Sequence, residues 1–320
     1  METRTPLRIR TEHVLVGIAL LCTALLVWMV ILCKPYFPDP EVAETQPPQI
    51  ASTDQTGQEE SPEDEDPESL LHQQTEPSEE VPEETAEPTI PPEANPYGKL
   101  DFQYNRNNYL YSLKTDSYPG IDVSAFQGKI DWEQVRDSGI EFAIIRLGYR
   151  GYGKSGKLVE DEYAQDNLKG ATEAGLPIGA YFFSQALSIK EADEEIKFML
   201  EILGDYTLEM PIILDWEIPT ETARTANMDG RTLTDIQLHF CSVMGEKGYQ
   251  PMVYFNWYMS SRLLNLHELE AYPFWLALYQ DRMTYPYRVE MWQYTDRGRV
   301  PGIEGNVDLN IYIPNAPHPN

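Results

Sequence analysis

Cysteine is scarce: three residues in 320, Cys22, Cys33 and Cys241, with no C-x-x-C pair. That excludes a disulfide framework and a zinc site built on paired cysteines. Basic residues are few as well, 24 Lys and Arg against 52 Asp and Glu, for a formal net charge of -28. Nucleic acid is thereby a poor partner, because its phosphates need cations. Histidine occurs five times. His13 and His72 precede the apolar strand-like runs, and His239 falls in a helical pattern, which leaves a Ser-His-Asp site little support. Gly151-Tyr152-Gly153-Lys154 lacks the spacing of a phosphate-binding loop and reads as a turn. No motif asks for a cofactor, and no His/Cys cluster asks for a metal.

What is present divides the chain into unlike regions. Residues 1–13 carry Arg4, Arg8 and Arg10. Val14 to Cys33 follows without a single charge, long enough at ~1.5 Å per residue to cross a ~30 Å bilayer core. No small-x-small cleavage pattern follows it, so the expectation is an uncleaved transmembrane helix. The flanking arginines place the N-terminus in the cytoplasm and the rest outside the plasma membrane. Residues 34–116 are expected to form a disordered, acidic, proline-rich linker. Positions 39–96 hold eighteen Asp and Glu and no Lys or Arg. Such a stretch buries too little apolar surface to offset its ordering entropy. As a coil it averages ~50 Å end to end, and self-repulsion extends it. It reads as a solvated spacer without a partner of its own. Residues 117–314 then carry the folded domain, and 315–320 a short tail. From residue 101 onward 32 acidic residues face 19 basic ones, so the domain is only moderately acidic.

Within the domain, eight apolar runs rich in β-branched and aromatic residues recur: 120–124, 142–149, 177–184, 211–217, 252–256, 274–279, 289–295 and 307–313. Continuous apolar strands imply burial on both faces, as in a parallel sheet. Helical patterns separate the early runs. Asp131 with Gln134 and Ser188 with Glu191 read as capping boxes, and Gly175 and Gly248 as helix stops. The later connections are too short for full helices. The expected fold is α/β, a (β/α) TIM-like barrel, compact or irregular with fewer than eight helices. In such barrels chemistry gathers where the strands end.

Asp215 and Glu217 close the run Pro211-Ile212-Ile213-Leu214. Residues i and i+2 of a strand share a face, with Cα atoms ~6.5–7 Å apart. Both therefore point with Ile213 toward the barrel axis. Facing carboxylates repel, which raises one pKa, as a general acid requires. Asp122 joins them from the first run. Paired acids among aromatics suit glycoside hydrolysis. Tyr181, Tyr254, Trp275, Tyr279 and Trp292 offer ring faces for sugars, with Trp275 and Tyr279 expected to face one way.

These residues resemble a known family. Gly120-Ile121-Asp122-Val123-Ser124-Ala125-Phe126-Gln127-Gly128 with Ile130-Asp131-Trp132, Asp215-x-Glu217, Trp275-Leu276-Ala277-x-Tyr279, Trp292-Gln293-Tyr294 and Val307-Asp308 are similar to motifs of the glycoside hydrolase family 25 lysozymes. The resemblance spans about 118–313. It implies an N-acetylmuramidase that cuts the β-1,4 bond between N-acetylmuramic acid and N-acetylglucosamine in peptidoglycan. By it Glu217 is the general acid, Asp215 orients the substrate acetamido group or stabilises the cation, and Asp122 holds the network. Tyr181, Tyr254, Trp275, Tyr279, Gln293 and Asp308 become substrate-binding candidates. One departure is Tyr181-Phe182-Phe183, where many members have Tyr-His-Phe. The expected partners are peptidoglycan strands and, through the N-terminal helix, the membrane. Two rivals stay open: a non-catalytic wall-binding scaffold, and a hexosaminidase acting on another amino-sugar polymer.

Overall fold

The structure, a computed structural model, describes Asp66, Glu68 and residues 92–314. All belong to the compact unit that runs from residue 58 to the end of the chain. The expected transmembrane span 14–33 and the tail 315–320 lie outside the described residues. Among the described residues no helix is long and apolar enough to cross a membrane.

Ordered structure begins ahead of the first family-like motif. Strands β1 (Phe102–Tyr104) and β2 (Leu110–Ser112) pair antiparallel. This hairpin lies within 34–116, which composition assigned to the linker. The aromatic and aliphatic residues at 97, 102, 109 and 110 account for the difference, since all four side chains are buried. Each such burial stabilises by about 1.5–3 kcal/mol.

Next come β3 (Tyr118–Val123), helix α1 (Trp132–Asp137), β4 (Phe142–Arg150) and the short β5 (Leu158–Glu160). Helix α2 (Ala164–Glu173), β6 (Ile178–Ser184), α3 (Ile189–Leu203) and β7 (Ile212–Trp216) follow. The chain continues through α4 (Gly230–Glu246), β8 (Pro251–Asn256), α5 (Trp257–Arg262) and α6 (Leu266–Leu269). It closes with β9 (Phe274–Ala277), β10 (Met291–Gly298) and β11 (Val307–Tyr312). The caps form where the sequence placed them. Asp131 accepts from the Gln134 amide at 3.1 Å, and Ser188 from the Glu191 amide at 3.3 Å.

The expected strand runs are all present, but the expected fold class is corrected. The molecule is a closed eight-stranded β-barrel with few helices and not a (β/α) TIM barrel. Strands β3, β4, β6, β7, β8, β9 and β10 run parallel to their neighbours in that series. Strand β11 is antiparallel to both β10 and β3 and closes the cylinder between them. Connection length explains this. A parallel return needs a crossover of about a dozen residues or more. Only residues 299–306 separate β10 from β11, so the chain can do no more than reverse. No helix joins β9 to β10.

Alternation along the strands makes two cores. Ile212, Leu214 and Trp216 pack outward into the layer beneath the helices. Ile213 packs inward with Phe142, Ile144, Met252 and Met291. Gly120 belongs to this inner floor, where an added Cβ would sit 2.2 Å from the Phe142 ring. Only a residue without a side chain leaves that ring its place.

Candidate active site

The acids stand at the opposite end of the strands that build the apolar floor. Asp215 is the penultimate residue of β7, and Glu217 follows directly after the strand. Parity puts Asp215 on the inward face with Ile213, as the sequence pattern predicts. Asp122 on β3 lies directly across from Asp308 on β11 in the strand register. All four are buried.

Hydrogen bonds tie Asp122 and Glu217 in place. The Asp122 Oδ2 accepts from Gln293 Nε2 at 2.9 Å and from Asn310 Nδ2 at 2.7 Å. Asn310 is itself held by Trp275, whose Nε1 donates to Asn310 Oδ1 at 2.9 Å. Gln293 is held by the Tyr279 hydroxyl, which donates to its Oε1 at 3.1 Å. The Tyr254 hydroxyl donates to Glu217 Oε1 at 2.9 Å. The backbone of Glu217 is fixed through its carbonyl, which accepts from Gln185 Nε2 at 2.7 Å and the Thr225 hydroxyl at 3.1 Å. Asp215 differs from the others. Its Oδ1 is buried and has no hydrogen-bond partner among the described residues.

The electrostatics follow from many acids in little water. Burial pushes the Asp215 carboxyl well above its ordinary value, and the charges of Glu217, Glu68 and Asp122 add to this while Arg146 opposes it. Asp308 is raised well above its ordinary value for like reasons: burial first, then Asp122, Glu68 and Asp296, with a hydrogen bond to Asp122. Burial and then the Glu217 charge also raise the Tyr254 hydroxyl. Such a cluster binds protons more tightly than separate carboxylates do and shares them among its members.

The candidates of the sequence divide in the structure. Tyr181 and Tyr254 lie in the inner core beside the acids' strands. Trp275 lies there too but is only 1% exposed, edge-on to Tyr254 with ring centroids 5.0 Å apart. Its place is to hold Asn310 rather than to offer a ring face. Tyr279 does not share the facing of Trp275 through strand parity, because β9 ends at Ala277. Its ring is 48% exposed while its hydroxyl reaches Gln293. Trp292 points outward, packs edge-on against Phe102 at 5.5 Å, and donates to the Leu278 carbonyl at 2.8 Å. Phe182 also points outward, against Phe198 of α3. The missing histidine of Tyr-His-Phe therefore leaves no gap among the acids.

Arg146, Asn310, Gln185 and Thr225 escaped the sequence reading. Arg146 had a signal: it is a cation within the apolar run 142–149 and shares parity with Ile144. Among the described residues no cluster of three or more His, Cys, Asp or Glu groups is arranged to hold a metal ion.

Comparison with known proteins places these features. The model of the family described as Glycosyl hydrolases family 25 matches residues 121–303. YegX of Escherichia coli K12, an uncharacterized protein, is 31% identical over 60% of this chain and 68% of its own length. Lysozyme M1 of Streptomyces globisporus is 25% identical over 62% of this chain and 68% of its own. Among solved structures, the modular autolysin LytC of Streptococcus pneumoniae, in complex with a synthetic peptidoglycan ligand, aligns with a TM-score of 0.55 and 27% identity. That alignment covers 66% of this chain and 50% of LytC, so the chain spans half the length of that relative.

Proposed function

The chain belongs to glycosyl hydrolase family 25 and is a glycoside hydrolase; from that premise we propose that it cleaves peptidoglycan at the β-1,4 bond between N-acetylmuramic acid and N-acetylglucosamine. The observation that carries this reading is the buried set Asp122, Asp215, Glu217 and Asp308 gathered at one end of the barrel. The similarity to Lysozyme M1 and to a peptidoglycan-bound autolysin supports glycan as the substrate.

Glu217 protonates the leaving oxygen. Its carboxyl is aimed by the Tyr254 hydroxyl and by the two bonds to its own carbonyl. Asp215 and Glu217 work as one proton-sharing pair. Burial and the charges of Glu217, Glu68 and Asp122 raise the Asp215 carboxyl, so the pair can hold a proton that Glu217 passes to the leaving oxygen. Protonated Asp215 has a buried oxygen open to a sugar substituent, which suits the acetamido group. As the glycosidic bond breaks, the pair's negative charge stabilises the positive charge developing at the sugar, and a water then bonds to the anomeric carbon and returns a proton to the pair. Asp122 accepts from both Gln293 and Asn310, and so holds the register of β3, β10 and β11 around the sugar. No cofactor enters this scheme.

The cell-surface part of the reading rests on sequence. The uncharged run 14–33 and the arginines before it support a single-pass plasma-membrane anchor, with the barrel on the outer side, in a bacterium whose wall lies beyond that membrane.

The test is incubation of the full chain with purified peptidoglycan and identification of the new reducing ends by mass spectrometry. Ends on N-acetylmuramic acid, absent with Glu217→Gln, are expected. Ends on N-acetylglucosamine would replace the bond assigned here with the other one. Binding without cleavage would replace the enzyme with a wall-binding module.

A further inference from the structure

Arg146 is 1% exposed on β4, in register with Tyr181 of β6. A guanidinium taken out of water needs anionic partners to offset the lost hydration. The barrel provides one: Arg146 Nε donates to Asp161 Oδ2 at 2.7 Å. Asp161 is also engaged by the backbone amides of Ala125 and Tyr163. The rings of Phe126 and Tyr149 lie 5.2 and 5.4 Å from the guanidinium carbon.

The remaining edge of the guanidinium is met from nearly eighty positions away in the sequence. Asp66 takes both terminal nitrogens as a fork, with Nη1 donating to its Oδ1 at 3.0 Å and Nη2 to its Oδ2. Nη1 also donates to the Glu68 carboxylate. That carboxylate accepts from the Tyr181 hydroxyl at 3.2 Å, and Glu68 is 8% exposed. The Glu68 amide donates to Asp66 Oδ1 at 3.1 Å, which draws the two acids to the same nitrogens. Planar bidentate pairing of this kind is specific to carboxylates and similar anions. The Glu68 charge is felt by both Asp215 and Asp308, which places it among the acids.

We propose that Arg146 and Tyr181 form a carboxylate-binding subsite in the catalytic mouth, and that this chain's own acidic linker fills it through Asp66 and Glu68 as a tethered competitor of glycan. The linker thus has a partner, contrary to the solvated spacer that composition predicts. The tether makes this effective. Because the two acids belong to the same chain as the barrel, their binding is intramolecular, at an effective concentration on the order of 1 mM. An acidic segment with an intrinsic Kd near ~0.1 mM would then close about nine-tenths of the molecules. Apparent glycan affinity would fall roughly tenfold, by the open fraction. Competition rests on the glycan-cleaving reading; the seating of the linker does not.

The experiment compares three full-length chains: the natural sequence, Asp66→Asn/Glu68→Gln, and Glu83→Gln/Glu84→Gln. The last removes the same two charges elsewhere in the linker. Amide hydrogen exchange around residues 64–70 reads the seating. Titration with a soluble peptidoglycan fragment reads competition without needing turnover, and KM against kcat reads it where cleavage occurs. The expected result is protection in the natural and Glu83/Glu84 chains, lost in the Asp66/Glu68 variant. Roughly tenfold tighter fragment binding and a matching fall in KM should appear in that variant alone. Absence of protection in the natural chain would overturn the seating. Lost protection with unchanged fragment affinity would overturn the competition. If none of the three chains cleaves glycan, the enzymatic reading fails, while exchange and titration still decide the proposal.

Discussion

The two ends of the same strands solve opposite problems. At the floor, Phe142, Ile144, Ile213, Met252 and Met291 fill the cylinder with apolar side chains, and Gly120 leaves room for the Phe142 ring. At the mouth, the same strands end in Asp122, Asp215 and Asp308, with Glu217 directly after β7. Burial and neighbouring charges raise the proton affinity of Asp215 and Asp308, and a buried Asp215 oxygen is left unsatisfied. The floor lowers the free energy of the fold by burial, and the mouth raises it by gathering like charges. Asp215 and Ile213 are two residues apart on one strand, so the contrast can be tested within a single element.

The largest effect should come from Glu217→Gln. Loss of a positioned general acid costs about 10²–10⁴-fold in rate. Turnover of peptidoglycan should fall by that factor while the unfolding midpoint stays put or rises. Unchanged turnover would remove Glu217 from the chemistry and dissolve the contrast.

Ile213→Ala should do the reverse. A large-to-small change in a tight core costs about 2–5 kcal/mol. Denaturant unfolding should show that loss, and kcat per folded molecule should stay within a few-fold of the parent. A collapse of kcat at intact stability would mean that floor and mouth are not separable.

The third effect is on stability against pH. Asp215 and Asp308 hold protons in the folded state that the unfolded chain releases above pH ~4. The folded state then binds more protons than the unfolded one, so stability falls as pH rises above ~4 toward the raised folded values. Each group contributes a slope of up to about 1.4 kcal/mol per pH unit inside that window. Unfolding free energies measured from pH 4 to 8 should decline, and Asp215→Asn should flatten the decline. A parallel curve for the variant would place the acid strain elsewhere.

Tyr254→Phe should have the smallest effect. It removes one hydrogen bond to Glu217 and keeps the ring that packs on Trp275. Loss of a bond to a charged group is worth about 1.5–3 kcal/mol at most. Steady-state kinetics should show kcat down by about ten- to a hundredfold, with KM little changed.

Much of this was legible in the sequence. The eight apolar runs mark the eight barrel strands because strands buried on both faces must be apolar throughout. Asp215-x-Glu217 was legible because parity with Ile213 fixes the facing of Asp215. Parity could have gone further. Trp292 and Gln293 are adjacent on β10 and cannot both face the mouth, and it is Gln293 that does. The antiparallel return of β11 was less legible, because the runs read from sequence leave eleven residues between them and only the longer β10 cuts the gap to eight. Tyr279 could not be placed by parity, because the end of β9 at Ala277 is set by pairing with β8 and β10.

By itself, the sequence determined the local facts: where strands lie, which way their side chains alternate, where helices are capped, and that Asp215 shares the facing of Ile213. Those follow from periodicity and short-range sterics, which act within a few residues. Tertiary structure alone decided closure by an antiparallel β11, the holding of Asp122 through Trp275 and Asn310, and the meeting of Asp66 and Glu68 with Arg146. Each joins groups far apart in the chain. The physical reason is that a buried charge or polar group is satisfied by whatever the fold brings within hydrogen-bond reach, and that distance is not written in any local pattern.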